Sequence, residues 1–208
     1  AARANEYIDL FPALITDWRS RWNNEFPFYW VQLANYMDAV EVPSESLWAQ
    51  VREAQTQTLS LSHTGQAVII DIGEAKDIHP KNKQEVGRRL ALHALHNDYG
   101  FSDVVCESPM PKTVRRVQDK IVVQFDNVAD GLIVKNKYGY LMSFAVAGND
   151  GVYKWVQAKV AGKDRVGLSC PDVIDPVSVR YAWGDNPDDA NLYNSVGLPA
   201  TPFEIKIE

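Results

Sequence analysis

Ala67-Val68-Ile69-Ile70-Asp71-Ile72-Gly73-Glu74-Ala75-Lys76-Asp77-Ile78-His79-Pro80 opens as an apolar run and ends at the threshold of a helix. The run 67–71 is almost continuously apolar, as a strand covered on both faces requires, so it reads as a buried strand. Beyond Pro80, residues 81–99 carry Val86, Leu90, Ala94 and Tyr99 at helical spacing, which predicts a helix with those residues inward. Upstream, 44–59 is another helical pattern with Leu47, Val51, Ala54 and Thr58 on one side. Phe26-Pro27-Phe28-Tyr29-Trp30-Val31-Gln32-Leu33 is short and aromatic and reads as an earlier buried strand. Tyr7, Leu10, Phe11, Leu14, Ile15 and Trp18 give an amphipathic helix over 5–21. Helix and strand alternate, so the strands should lie parallel and be joined by crossovers, an α/β arrangement. Two strands are too few for a stable doubly wound sheet, and this part is expected to be incomplete.

After Gly100 the texture changes. Pro109, Pro111 and Arg115-Arg116 mark a junction, followed by short alternating runs at 121–125, 131–134, 141–146, 153–156, 166–169 and 177–183. Turn residues separate them, and Asn149-Asp150-Gly151 is a hairpin signal. Such spacing predicts an antiparallel β-sandwich or jelly roll. The tail 185–203, rich in Pro and Asn, is expected to wrap irregularly, anchored by Leu192, Tyr193, Leu198 and Phe203. The chain is thus expected to divide into an α/β part, 1–108, and a β part, 109–208.

The sequence has 208 residues, 46% hydrophobic and 23% charged, with net charge −6, and a core of that size needs neither metal nor disulfide. The acidic balance argues against nucleic acid and anionic membranes as partners. No apolar run approaches the roughly 18 residues of a membrane span. Aromatic residues make up 11%, which suits a carbohydrate-facing protein without establishing one. Cys106 and Cys170 show no metal or redox spacing and read as two buried free thiols, with a single disulfide as the alternative.

Chemistry concentrates in the loop after the second predicted strand. Ligands of open α/β sheets gather at the carboxyl ends of strands. Pro80 disfavours a helical conformation at His79 and suits the first helical position, so His79 is expected at a helix N-terminus, where the dipole favours neutral imidazole. A neutral imidazole can accept a proton, and a carboxylate on its second nitrogen would fix the tautomer. Asp77 is the nearest such carboxylate, with Asp71 and Glu74 as alternatives. Asp-x-His alone is a weak motif, equally compatible with a solvated loop histidine. His93 and His96 share a helix without a third ligand and are expected on its surface; His63 reads as a turn residue before a strand. No Gly-x-Ser-x-Gly elbow, phosphate-cradling glycine loop or zinc spacing occurs, and Lys112 to Arg116 is too short for a nucleic-acid stripe. No metal and no cofactor is expected.

Asp77-Ile78-His79-Pro80-Lys81-Asn82-Lys83-Gln84-Glu85-Val86-Gly87-Arg88-Arg89-Leu90-Ala91 resembles the histidine block of the sialate O-acetylesterase family, SGNH-type serine hydrolases. The resemblance covers nearly the whole chain. Phe11-Pro12-Ala13-Leu14-Ile15-Thr16-Asp17-Trp18-Arg19 is similar to the helix after that family's Gln-Gly-Glu-Ser-Asn block, and Phe26 to Ala34 to its next core strand. Val179-Arg180-Tyr181-Ala182-Trp183, Asn191-Leu192-Tyr193-Asn194, Gly197-Leu198-Pro199-Ala200 and Pro202-Phe203 resemble its closing β segment.

This resemblance implies the C-terminal half of a three-layer, flavodoxin-like SGNH sheet followed by the β-sandwich. It implies a carbohydrate esterase that removes O-acetyl groups from sialic acid or a related sugar, with His79 as general base and Asp77 orienting it. Gln32, at the expected carboxyl end of a parallel strand, is assigned to the substrate pocket. The family's nucleophile lies in a Gly-Gln-Ser-Asn block and an oxyanion-hole asparagine in Gln-Gly-Glu-Ser-Asn; neither block occurs in these 208 residues. The chain starts Ala1-Ala2-Arg3 without Met, close to where the second block would end, so a cut through a longer hydrolase is expected. The N-terminal part, as a separate chain, is then the expected partner beside the acetylated sugar, and the chain alone should be inert. The contrasting reading is a non-catalytic carbohydrate-binding or interaction protein on a hydrolase scaffold. Glycan chemistry suits a periplasmic or secreted setting, but no residue fixes the compartment.

Overall fold

The computed structural model describes residues 3–208. Its first part runs α1 (Ala4–Trp22), β1 (Phe28–Val31), α2 (Leu47–Gln57), β2 (Thr64–Ala67) and α3 (Lys83–Asn97). β1 and β2 pair in parallel, Phe28 opposite Thr64 and Val31 opposite Ala67, as the helix–strand alternation requires. Side chains alternate across a strand. Phe28 and Trp30 therefore face α1, where the Phe11 ring lies 5.1 Å from Trp30, while Tyr29 on the other face stacks on His93 of α3 at 5.6 Å. Helices thus cover both faces of the parallel pair.

The second strand differs from its sequence reading. The apolar residues 67–70 are buried, yet only Ala67 belongs to the ladder, and β2 is Thr64-Gly65-Gln66-Ala67. Past Ala67 the Val68 carbonyl accepts from the Arg89 guanidinium at 2.6 Å and the chain turns at Ile69–Ile72. Apolar continuity reported burial, and hydrogen bonding decided the strand.

All three helix faces are also corrected in part. On α1, Phe11 and Ile15 are buried, whereas Leu10, Leu14 and Trp18 stay exposed. On α3 the inward residues are Arg89 and His93, and Tyr99 lies beyond the helix in solvent. The buried face of α2 is Ala49, Arg52, Ala54 and Gln55, with Leu47 exposed.

From Met110 onward every ladder is antiparallel. One sheet has the order β3-β4-β9-β8, from β3 (Met110–Val117), β4 (Lys120–Asp126), β8 (Gln157–Val160) and β9 (Arg165–Ser169). A second has β12-β10-β6-β7, from β6 (Phe144–Ala147), β7 (Tyr153–Trp155), β10 (Ser178–Tyr181) and β12 (Phe203–Lys206). β5 (Leu132–Val134) pairs with β11 (Leu192–Asn194). Val114, Val123, Phe125, Val166 and Leu168 from the first sheet meet Phe144, Val146, Val179, Tyr181 and Phe203 from the second in one core. The turn at Asn149-Asp150-Gly151 joins β6 to β7, with Gly151 at φ 71° as the sequence anticipates. The antiparallel part opens with β3, whose Pro111 sits at a bulge, and the tail 185–203 is irregular apart from β11 and ends at Phe203, where β12 begins.

The two parts interlock. Val68 and Ile70 insert into the antiparallel core. Arg52, fully buried on α2, donates to the carbonyls of Leu33, Ala34, Gly184 and Asp185 at 2.6–2.9 Å, tying the loop after β1 to the chain after β10. Both cysteines are free; Cys106 is buried and Cys170 only half-buried. No helix of the described residues is long and apolar enough to cross a membrane.

Candidate active site

The loop between β2 and α3 is held in place before it reaches His79. Gly73 donates its N–H to Asn35 Oδ1 at 2.7 Å, and a β-carbon there would collide with the Asn35 side chain and carbonyl. Asn35 in turn donates to Asn186 Oδ1 at 2.7 Å, and Asn186 to the Met37 carbonyl at 2.8 Å. Met37 N–H closes the set on the Ala75 carbonyl at 2.9 Å. Beyond Gly73, a tight turn brings Asp77 back opposite Glu74.

Asp77 and His79 form a local unit. The His79 N–H donates to Asp77 Oδ1 at 2.9 Å, and the His79 ring Nδ1 lies 3.4 Å from the same oxygen. The backbone N–H of His79, followed by its side chain, holds the Asp77 carboxyl below its ordinary value. The remaining imidazole nitrogen, Nε2, points away from that contact, and the side chain is 83% exposed.

The two rival carboxylates are committed elsewhere. Asp71 accepts both branches of the buried Arg89 guanidinium at 2.6 and 2.9 Å and the Tyr193 hydroxyl at 3.2 Å. Glu74 pairs with Lys81 at 2.6 Å. Of the three candidates, Asp77 alone approaches the ring.

Three expectations are corrected by position. α3 begins at Lys83 and is capped by Asn82, whose Oδ1 accepts from Glu85 N–H at 3.1 Å, so His79 stands outside the first turn and beyond the reach of the helix dipole. Gln32 is fully buried between β1 and α2 rather than at an open surface, its amide donating to Thr56 Oγ1 at 3.0 Å while its Oε1 has no hydrogen-bond partner. His93 is not on the surface: it is 3% exposed, its Nε2 sits 3.1 Å from the Gln66 carbonyl, and burial lowers its pKa. His96 bonds the Val104 carbonyl at 2.7 Å, and His63, at φ 52°, is the expected turn residue before β2. Among the described residues no group of three or more His, Cys, Asp or Glu side chains could hold a metal ion.

Sequence reasoning missed Arg89, Asn35, Asn186 and Tyr193, which build the platform beneath the loop. Asn35 and Asn186 are 151 positions apart, and no local pattern joins them.

Comparison with known proteins extends this picture. No family model matches the chain. The mouse sialate O-acetylesterase is 29% identical over 231 residues, 97% of this chain and 41% of the mouse protein. The human sialate O-acetylesterase is 29% identical over 224 residues, 95% of this chain and 42% of its own length. The chain is a relative of the sialate O-acetylesterases. It spans about two fifths of these curated sialate O-acetylesterases. The crystal structure of a carbohydrate acetylesterase from Xanthomonas citri superposes with a TM-score of 0.88 at 43% identity, over 96% of this chain and 46% of that one. The mixed helix-and-sheet architecture with its antiparallel sheets is therefore close to that of the matching part of the Xanthomonas citri carbohydrate acetylesterase.

Proposed function

We propose that this chain carries the histidine side of an O-acetylesterase acting on sugars. The observation that supports the reading best is the Asp77–His79 unit, in the loop leaving the parallel strands, within a chain similar to sialate O-acetylesterases along 95% or more of its length. On this reading residues 1–108 are the C-terminal half of an SGNH-type sheet, and 109–208 the β-sandwich that packs beside it.

The chemistry follows from the residues. A serine hydroxyl attacks the acetyl carbonyl while His79 Nε2 takes its proton; the tetrahedral intermediate collapses, and His79 returns the proton to the departing sugar oxygen. Water then attacks the acetyl-enzyme with His79 again as base, and acetate leaves. Asp77, on Nδ1, keeps Nε2 as the accepting nitrogen and stabilises the imidazolium. An imidazole this exposed does such work only once another surface covers it and excludes water. The serine and the oxyanion donors come, on this proposal, from a further polypeptide segment, docked as a separate chain.

The test is acetate release from O-acetylated sugars by this chain mixed with a segment bearing a Gly-Gln-Ser-Asn block. Release that falls by at least about a thousandfold with His79→Ala is expected, because removing a triad member costs that much or more. No release from any acetylated sugar with wild-type His79 overturns the reading.

A further inference from the structure

A concave site of about 310 Å³ opens between residues 39–41, strands β6 and β7, and the segment 182–189. No residue of the His79 loop contributes to its walls. Its base is apolar, with Phe144 and Ala182 buried. Trp155 stands at its edge 42% exposed, its indole N–H spent on the Glu41 carbonyl at 2.9 Å, so the ring is fixed and a face stays open. Trp183 is buried in the wall with an indole N–H that has no partner.

The backbone here is strained in two places. Ser143 at φ 62° and Ala182 at φ 50° both adopt the left-handed conformation, and Ala182 N–H donates to the Ser143 carbonyl at 3.0 Å. Strain of this kind in non-glycine residues gathers at ligand sites. The rim is acidic. Asp189 accepts from the Ser143 hydroxyl, and Asp188 is open to solvent. No Lys or Arg lines the cavity. The nearby Arg180 guanidinium, 4.9 Å from the Trp183 ring centre, is already paired with Glu45 at 2.7 Å and Glu204 at 2.6 Å.

The geometry points to a saccharide subsite for an uncharged pyranose, with the sugar's C–H face on Trp155 and its hydroxyls donating to Asp188 and Asp189. This rests on the proposed sugar esterase reading and adds to it a second contact region and a charge preference. The acidic rim offers no cation to an anionic sugar and repels its carboxylate, so the site discriminates against sialic acid by leaving that charge unpaired.

Calorimetric titration of the full chain with lactose, cellotetraose and xylotetraose, against sialyllactose and choline, tests it. At least one neutral saccharide is expected to bind, and sialyllactose at least about tenfold more weakly, the effect of one unfavourable charge contact. Trp155→Ala is expected to weaken neutral saccharide binding about tenfold, as loss of an aromatic anchor does, in protein whose circular dichroism shows it still folded. Asp188→Lys should narrow or reverse the gap to sialyllactose. His79→Ala should leave binding intact, which separates failure of the subsite from failure of the esterase reading. No neutral saccharide binding at millimolar concentration, equal binding of sialyllactose, preference for choline, or indifference to Trp155→Ala each overturns the proposal.

Discussion

At Gly73 the backbone passes so close to Asn35 that no side chain fits between them. Gly73→Ala must therefore push the loop outward and break the 2.7 Å bond to Asn35 Oδ1. A loss of about 1–3 kcal/mol is expected in urea denaturation, together with changed NMR signals of the His79 ring, because overpacking against backbone has few ways to relax. His79 behaves oppositely. Its ring is 83% exposed and touches little besides Asp77. His79→Ala should leave stability within about 0.5 kcal/mol of the parent by the same denaturation, which makes it a clean probe of function. The pairing of Asp77 with His79 was legible from their spacing, since an Asp two residues ahead readily accepts the following N–H. That Asp71 and Glu74 are unavailable was not legible, because Arg89, Tyr193 and Lys81 occupy them.

Among the elements, α3 shows how a polar face can be an inner face. Its buried residues, Arg89 and His93, satisfy the carbonyls of Val68 and Gln66 at the point where the strand leaves the ladder. Helical spacing of apolar residues could not find them, because the inward positions are paired polar groups. The same blindness hid β2: Thr64-Gly65-Gln66-Ala67 has little intrinsic strand preference and is a strand because β1 lies beside it. Gly65 is there because α3 is close, and a β-carbon would come within 2.6 Å of the His93 ring. The helix start is set locally by Asn82. Asn82→Ala is expected to cost about 1 kcal/mol, read as a lower thermal midpoint and faster amide exchange in the first turn of α3.

Across the whole molecule, buried cations join parts that apolar contact alone would leave loosely fitted. Arg52 has only carbonyl oxygens as hydrogen-bond partners, and burial lowers its pKa. Arg52→Met removes the donor from four carbonyls at once, and a loss of about 3 kcal/mol or more in urea denaturation is expected, since each buried acceptor left without a partner costs about 1–3 kcal/mol. The second network, Asp71–Arg89–Glu85, carries a pH signature. Hydrogen bonds from Arg88, then from Arg89, hold the Glu85 carboxyl down to about 2, against 4.5 ordinarily. A depressed native pKa stabilises the fold fully above the unfolded value, and the contribution is lost as pH falls through the native one. Urea midpoints should therefore drop between about pH 5 and pH 2, and Glu85→Gln should flatten part of that drop.

The sequence by itself determined the helix–strand alternation, the parallel pairing it implies, most antiparallel runs and the Asp77–His79 unit. All of these rest on spacings of a few residues, where periodicity and turn chemistry act. Tertiary structure decided which apolar residues are strand and which are filling, why Arg89 and His93 face inward, and what steadies the His79 loop. The physical reason is that these depend on hydrogen-bond partners such as Asn35 with Asn186 and Arg52 with Gly184, separated by 151 and 132 positions, which only folding brings together.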